Sequence, residues 1–180
     1  MSKILFFDTE TTDLISKGKI WEQDYNEFPY IVQIAWIIDD EEYSYIIKPE
    51  NWKISDRVSK IHGITQEIAL EKGCSNAEVL KHFLDDVKKA DLIVGHNIYF
   101  DTSIVKANLL RLGFDKTEIS DALHKDKRFC TMQRSKKLFG KYPKLSELYR
   151  YLFVVELEDA HTALGDVRAT KKCYEEMFKY

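Results

Sequence analysis

This 180-residue sequence has no surplus of basic charge, no cysteine framework and no long apolar run, and each absence excludes a class of function. Thirty acidic residues against 27 basic leave a net charge of −3. Proteins that coat long duplex nucleic acid by bulk electrostatics carry a basic excess, so that class is excluded, whereas a local site gripping a few phosphates is not. Cys74, Cys130 and Cys173 are odd in number, widely spaced and outside any C-x-x-C pattern, which removes both a disulfide scaffold and a zinc site. A reducing compartment fits, and the chain reads as cytoplasmic. The opening apolar stretch, Ile4 to Phe7, is four residues long, and no other run approaches bilayer-spanning length, so no membrane association is expected. Internal repeats and low-complexity segments are also missing. What remains, 44% hydrophobic and 13% aromatic content, suffices for one well-buried domain covering residues 1–180 and is too little for two.

The pattern along the chain alternates strands and helices. Lys3 to Asp8 and Ile31 to Ile38 read as buried strands. The acidic turn at residues 39–42 leads into an alternating strand at 43–48, giving a hairpin. Ser75 and Glu78 have capping-box spacing, and Val79, Leu80, Phe83, Leu84 and Val87 follow at helical intervals, which predicts a helix from about 76 to 89. A strand at 91–96 then precedes a helix through Ile104, Val105, Leu109 and Leu112 that stops at Gly113. Thr131 to Phe139 and the series Leu145, Leu148, Leu152 predict two shorter helices. Leu164, Val167, Thr170, Tyr174 and Met177 form the stripe of a last one. Residues 15–29 read as a surface loop. A hairpin followed by alternating helix and strand implies an α/β fold with a mixed central β-sheet flanked by α-helices.

Three segments carry candidate chemistry. In FFDTETTDL (6–14), Asp8 and Glu10 are two apart on a strand and present two carboxylates on one face. Such neighbours repel unless a cation lies between them, and hard oxygen ligands suit Mg²⁺ or Mn²⁺. A lone D-x-E in so acidic a chain says little. Asp101, in GHNIYFD, lies where a strand gives way to a helix, whose dipole favours a carboxylate; alone, it could equally be a cap. His161 and Asp166 stand in HTALGD. Five residues apart on one helix they would diverge by about 140°, so a shared cleft requires His161 before the helix and Asp166 in its second turn. Alone, His161 could be a structural hydrogen-bonder. Asp166 beside Val167 would sit at the edge of a buried face, where a carboxylate needs a metal or a donor.

Together these segments resemble the DEDDh family of 3′ to 5′ exonucleases, which includes proofreading subunits and ribonuclease T. FFDTETTDL, HNIYFD and HTALGD occur in the family's order and at similar separations, and IHGIT (61–65) resembles the segment between its first two motifs. The resemblance runs from Ile4 to Tyr174. It implies a ribonuclease H-like fold in which Asp8, Glu10, Asp101 and Asp166 hold two divalent cations, with His161 as general base. The substrate implied is single-stranded nucleic acid entered from its 3′ end, DNA favoured over RNA, with nucleoside 5′-monophosphates released. It also implies that the backbone of Thr9 faces the 3′ hydroxyl and Leu14 wedges between the last two bases. Ile61 and His62 would flank the terminal base, with Asn97 and Phe100 lining the same pocket. For Leu14, Ile61 and Phe100, core packing is the alternative.

Lys17 and Lys19 are further candidates for strand contacts, and Trp21 for packing beneath its loop. One departure stands out: Asp13 occupies a position where many relatives have glycine, so a positive φ there would have to be tolerated by an aspartate. A polymerase is a candidate partner. The chain ends at Tyr180, shortly after the last helical stripe, which favours a stand-alone nuclease over a tethered proofreading subunit. The competing readings are a catalytically idle nucleic-acid-binding or polymerase-associated module, and a short-RNA exonuclease of the oligoribonuclease type. Oligomeric state is not legible.

Overall fold

A computed structural model describes residues 2–158 and 162–179. Its centre is strand β1 (Ile4–Thr11), which is apolar on both faces because alternate side chains point in opposite directions: Leu5 and Phe7 one way, Phe6 the other. β1 pairs antiparallel with β2 (Ile31–Ile38), which turns back into β3 (Glu41–Ile46). On its other side β1 is parallel to β4 (Leu92–Gly95), and β4 to β5 (Arg128–Cys130), giving the order β3-β2-β1-β4-β5. Two-residue turns can join only antiparallel strands, so the parallel half needs helical crossovers. The helices are α1 (Trp21–Asp24), α2 (Asp56–His62), α3 (Gln66–Lys72), α4 (Asn76–Lys89), α5 (Ile98–Arg111), α6 (Lys116–Ala122), α7 (Thr131–Phe139), α8 (Leu145–Phe153) and α9 (Ala163–Met177).

The two sheet faces carry separate cores. On one, α4 and α5 place Leu80, Phe83, Ile104 and Val105 with Leu5, Phe7 and Trp36. On the other, α9 packs Ala163 and Val167 with Phe6, Ala35, Ile37 and Val94. A smaller cluster of Val32, Ile54, Val58, Ile64 and Ala69 fastens α2 and α3 to the sheet. Trp36 Nε1 donates to the buried carboxylate of Asp86 at 2.9 Å, so the largest core side chain leaves no polar atom unpaired. Among the described residues no helix is long and apolar enough to cross a membrane.

The α/β architecture follows the sequence pattern, and α4 and α7 have the expected limits, but several elements differ. β1 runs past Asp8 to Thr11, because Thr9, Glu10 and Thr11 continue the ladder opposite Ile34, Gln33 and Ile31, with a bulge between Glu10 and Thr11. β3 starts at Glu41, since Asp39 and Asp40 take the turn with φ of 50° and 65°. Those acids are engaged: Glu42 accepts from Arg168 at 2.9 Å and Asp40 from Lys171 at 2.5 Å, tying the hairpin to α9. Residues 15–29 contain α1 and a 3₁₀ turn, Tyr25–Glu27. There Trp21 is buried beneath Lys106 (5.0 Å to the ring centroid), and Lys19 pairs with Asp24 and Glu27 at 3.2 and 2.8 Å. The short α2, α3, α6 and β5 have no sequence counterpart, being too brief for a periodic stripe.

Gly73 fixes how α3 meets the sheet. Cys74 N donates to Ile46 O at 2.8 Å and Lys48 N to Cys74 O at 2.9 Å. A Cβ at Gly73 would stand 2.2 Å from Ala69 O and 2.6 Å from Lys48 Cα. Backbone atoms on both sides cannot yield cheaply. Gly73→Ala should therefore lower stability by about 1–3 kcal/mol, the usual cost of overpacking, measured by urea unfolding.

Candidate active site

At the carboxyl end of β1 the alternation that buries Phe6 continues through Asp8 and Glu10 on the α9 face. α9 brings Asp166 there in its first turn: Thr162 caps the helix by accepting from Gly165 N at 3.1 Å, and Ala163 N donates to Gln33 Oε1 at 3.2 Å. Gln33 is the β2 residue opposite Glu10, so the same register that places Glu10 also anchors α9. Asp8, Glu10 and Asp166 each offer a carboxylate oxygen, all within 4.8 Å of one another. Asp101 arrives from the first turn of α5. It is 3% exposed and accepts from Thr9 N at 3.1 Å and Thr9 Oγ1 at 2.6 Å. Of the Thr9 backbone, expected to face a 3′ hydroxyl, the N–H is engaged by Asp101.

Burial and neighbouring carboxylates raise the proton affinity of Asp8, Glu10 and Asp101. Burial, then the charges of Asp101, Asp166 and Glu10, hold Asp8 well above the usual carboxylate range. Burial, then Asp166 and Asp101, push Glu10 to about 8. Burial lifts Asp101 to about 7, with the two Thr9 hydrogen bonds acting against it. Like charges held together out of water are relieved by protons or by a cation. An all-oxygen donor set fits a hard divalent ion. His161, expected as general base, lies outside the described residues.

Beside the acids a cavity of about 240 Å³ is lined by Thr9, Leu14, Ile61, His62 and Phe100, five of the six expected substrate residues, together with Glu10, Thr11 and Val58. The sixth, Asn97, is not in its wall: it takes the αL conformation (φ 66°) as the exposed N-cap of α5, where the chain must turn from β4 into the helix. Core packing does not account for Leu14, 73% exposed, or Ile61, 52% exposed; Phe100 is half-buried against the main core. His62 is buried, and its Nδ1 accepts from Ile64 N at 3.1 Å, which leaves the proton on Nε2. That Nε2–H has no partner among the described residues, and burial lowers the ring's pKa, keeping it neutral.

Sequence reasoning missed Arg57, which stands at the cavity rim with its guanidinium 2.8 Å from Asp13. Asp13 also accepts from Leu14 N at 2.7 Å, so its carboxyl is held below the usual range, first by that bond and then by Arg57. Asp13 is not among the residues with positive φ, so the position does not demand glycine. The missed signal was the helix 56–62 ended by Gly63 in αL, which sets Arg57 and Ile61 four apart on one face.

A model of the RNase T exonuclease family matches residues 5–174. The chain is 30% identical over 177 residues to the DNA polymerase III subunit epsilon of Buchnera aphidicola subsp. Baizongia pistaciae (strain Bp), covering 94% of this chain and 68% of that protein. Its fold is similar to that of E. coli Exonuclease I in complex with a dT13 oligonucleotide (TM-score 0.78, 21% identity, 99% of this chain and 41% of that one). It is similar too to the zinc-bound form of the E. coli Exonuclease I complex with single-stranded DNA (TM-score 0.78, 22% identity, 98% and 40%). At such identity these structures establish the ribonuclease H-like fold, and the chain spans 41% of the first. The chain belongs to the DEDDh-type 3′–5′ exonuclease family, a divalent-metal-dependent family of hydrolases.

The raised carboxyls fix the sign of a pH effect. A group that binds its proton more tightly when folded stabilises the fold below its unfolded pKa and loses that contribution as pH rises through the folded value. With unfolded carboxyls near 4 and Glu10 at about 8, thermal stability in EDTA should fall between about pH 4 and 8. Glu10→Gln should flatten the fall and a divalent cation should reverse it, as read from Tm across that range.

Proposed function

We propose that this chain hydrolyses single-stranded nucleic acid from the 3′ end, DNA in preference to RNA, releasing nucleoside 5′-monophosphates. The observation that carries the proposal is the convergence of Asp8, Glu10 and Asp166 within 4.8 Å, next to a cavity with exposed apolar side chains at its mouth. Asp8, Glu10, Asp101 and Asp166 would hold two divalent cations, Mg²⁺ or Mn²⁺, which supply a more acidic water and charge compensation at the leaving 3′ oxygen. Asp101 keeps its place through the two Thr9 hydrogen bonds, so the ligand set is positioned before substrate arrives.

The remaining roles fall to residues around that centre. His161 accepts the proton of the attacking water, an assignment resting on its place in HTALGD and on an imidazole's suitability near neutral pH. The cavity takes the terminal nucleotide, with Leu14 and Ile61 offering apolar surface to the bases and His62 Nε2–H a single buried donor. Apolar contact to base faces is indifferent to sequence, as a digestive or proofreading exonuclease requires. Preference for DNA and a polymerase partner are supported by the relative that is a DNA polymerase subunit and the neighbour in complex with dT13, and a reducing, cytoplasmic setting by the three free cysteines.

A 5′-labelled oligonucleotide should shorten progressively with Mg²⁺ and not in EDTA; internal fragments would contradict the proposal. Asp8→Ala should lower kcat by about 10²–10³-fold, the several kcal/mol that such an ion contributes. His161→Ala should cut turnover while leaving calorimetrically measured Mn²⁺ binding intact, and equal loss of both would reassign it as a ligand or structural residue. Leu14→Ala should raise KM by about fivefold or more, the loss of roughly 1 kcal/mol of base stacking, whereas Asp13→Gly should keep turnover.

A further inference from the structure

The chain's charge is unevenly spread. Between Arg134 and Arg150 lie six basic residues and one acid, Glu147, in a protein whose net charge is −3. All six, Arg134, Lys136, Lys137, Lys141, Lys144 and Arg150, are exposed. On α4 the basic side chains alternate with acids that pair them, as Asp85 does Lys81 and Asp86 does Lys89. Here Lys141 meets Glu147, whose carboxylate also feels Lys144, and Arg150 meets Glu156, but among the described residues no carboxylate pairs with Arg134, Lys136 or Lys137. A solvated helix face is ordinarily mixed in sign; a run of one sign repels itself and calls for a polyanion. Within the run Tyr142 is 51% exposed. Lys136 Nζ lies 4.4 Å from the centroid of its ring, which orients an aromatic surface amid the cations.

This face is fastened to the candidate active site. His96 follows β4 directly and precedes the helix bearing Asp101. Its two ring nitrogens lie 2.9 Å from Thr131 Oγ1 and 2.9 Å from Pro143 O. A carbonyl only accepts, so Nε2 is the donor and the neutral ring clips the 140–144 turn to the carboxyl end of β4. β4 is parallel to β1, so Lys141, Tyr142 and Lys144 are held at the same edge of the sheet from which Asp8 and Glu10 emerge.

We propose that the face formed by α7 and the 140–144 turn is a ledge for the single strand upstream of the scissile phosphate, its lysines and Arg134 meeting successive phosphates and Tyr142 stacking on a base. The proposal rests on the exonuclease assignment above for its ligand. Basic groups interleaved with an aromatic form the recurring surface for single strands without sequence preference. Such a ledge predicts a dependence on substrate length: a trinucleotide would fill the cavity without reaching it, and a 12-mer would use both.

The test compares Arg134→Gln/Lys137→Gln/Lys144→Gln, Tyr142→Ala and a control, Lys72→Gln/Lys116→Gln/Lys125→Gln, that removes equal charge from other exposed positions. Anisotropy with a labelled 12-mer in EDTA reads binding, and kcat/KM with Mn²⁺ reads turnover. For the ledge triple variant the slope of log K against log salt should drop by about 2, at roughly 0.7 for each phosphate left without its cationic side chain. Its kcat/KM should fall about tenfold on the 12-mer and stay within about twofold on the trinucleotide. Tyr142→Ala should weaken 12-mer binding with the slope unchanged. Equal effects on both lengths, equal effects of the control, or an unchanged slope in the triple variant would overturn the ledge. A wild-type protein that binds the 12-mer with the steeper slope yet shortens nothing would overturn the exonuclease assignment and support the ledge.

Discussion

Repulsion among Asp8, Glu10, Asp101 and Asp166 is the constraint around which this fold is organised. Left to themselves, carboxylates would separate or protonate, and the raised affinities of Asp8, Glu10 and Asp101 record how far the chain resists separation. The resistance comes from apolar packing. β1 is clamped between two cores, so Asp8 and Glu10 cannot swing away without withdrawing Phe6 and Phe7. α9 is held by Val167 and by Gln33. The stability of the sheet is what keeps the acids in a state that favours a bound cation.

Asp101 is both buried and tied. Its two hydrogen bonds from Thr9 join the start of α5 to the end of β1, making one residue both a member of the acidic group and a strut between its carriers. Thr9 in turn reaches the wall of the neighbouring cavity. The acid site and the cavity therefore share Thr9 and Glu10, and a displacement of β1 would be felt by both. The cavity's outer wall comes from α2, which is fixed separately through Val58 and the cluster beneath it.

Much of this was legible in the sequence because it is written in short periods. Two-residue spacing put Asp8 and Glu10 on one face, and the 3.6-residue stripes of α4, α5 and α9 marked their buried sides. Less was legible where an element is too brief to show a period, as in α2, α3 and β5, or where tertiary partners decide its fate. Trp21 and Lys19 in residues 15–29 gave no periodic signal, yet α5 orders the segment through Arg111, which donates to Tyr25 O and Phe28 O at 2.6 and 2.8 Å. Asn97 was expected in the cavity from the family resemblance, but it stands exposed at the start of α5 with a positive φ.

The sequence alone determined the residue types of the site, the order of the segments that bear them and the α/β class, since these depend on local spacing and side-chain chemistry. Tertiary structure decided which groups meet: that Asp166 of α9 stands with Asp8 and Glu10, that Thr9 binds Asp101, and that Arg57 faces Asp13. Those pairings join residues 44 to more than 150 positions apart. Sequence separation carries no distance once a sheet has brought its strands together, so only the packed fold sets them within reach.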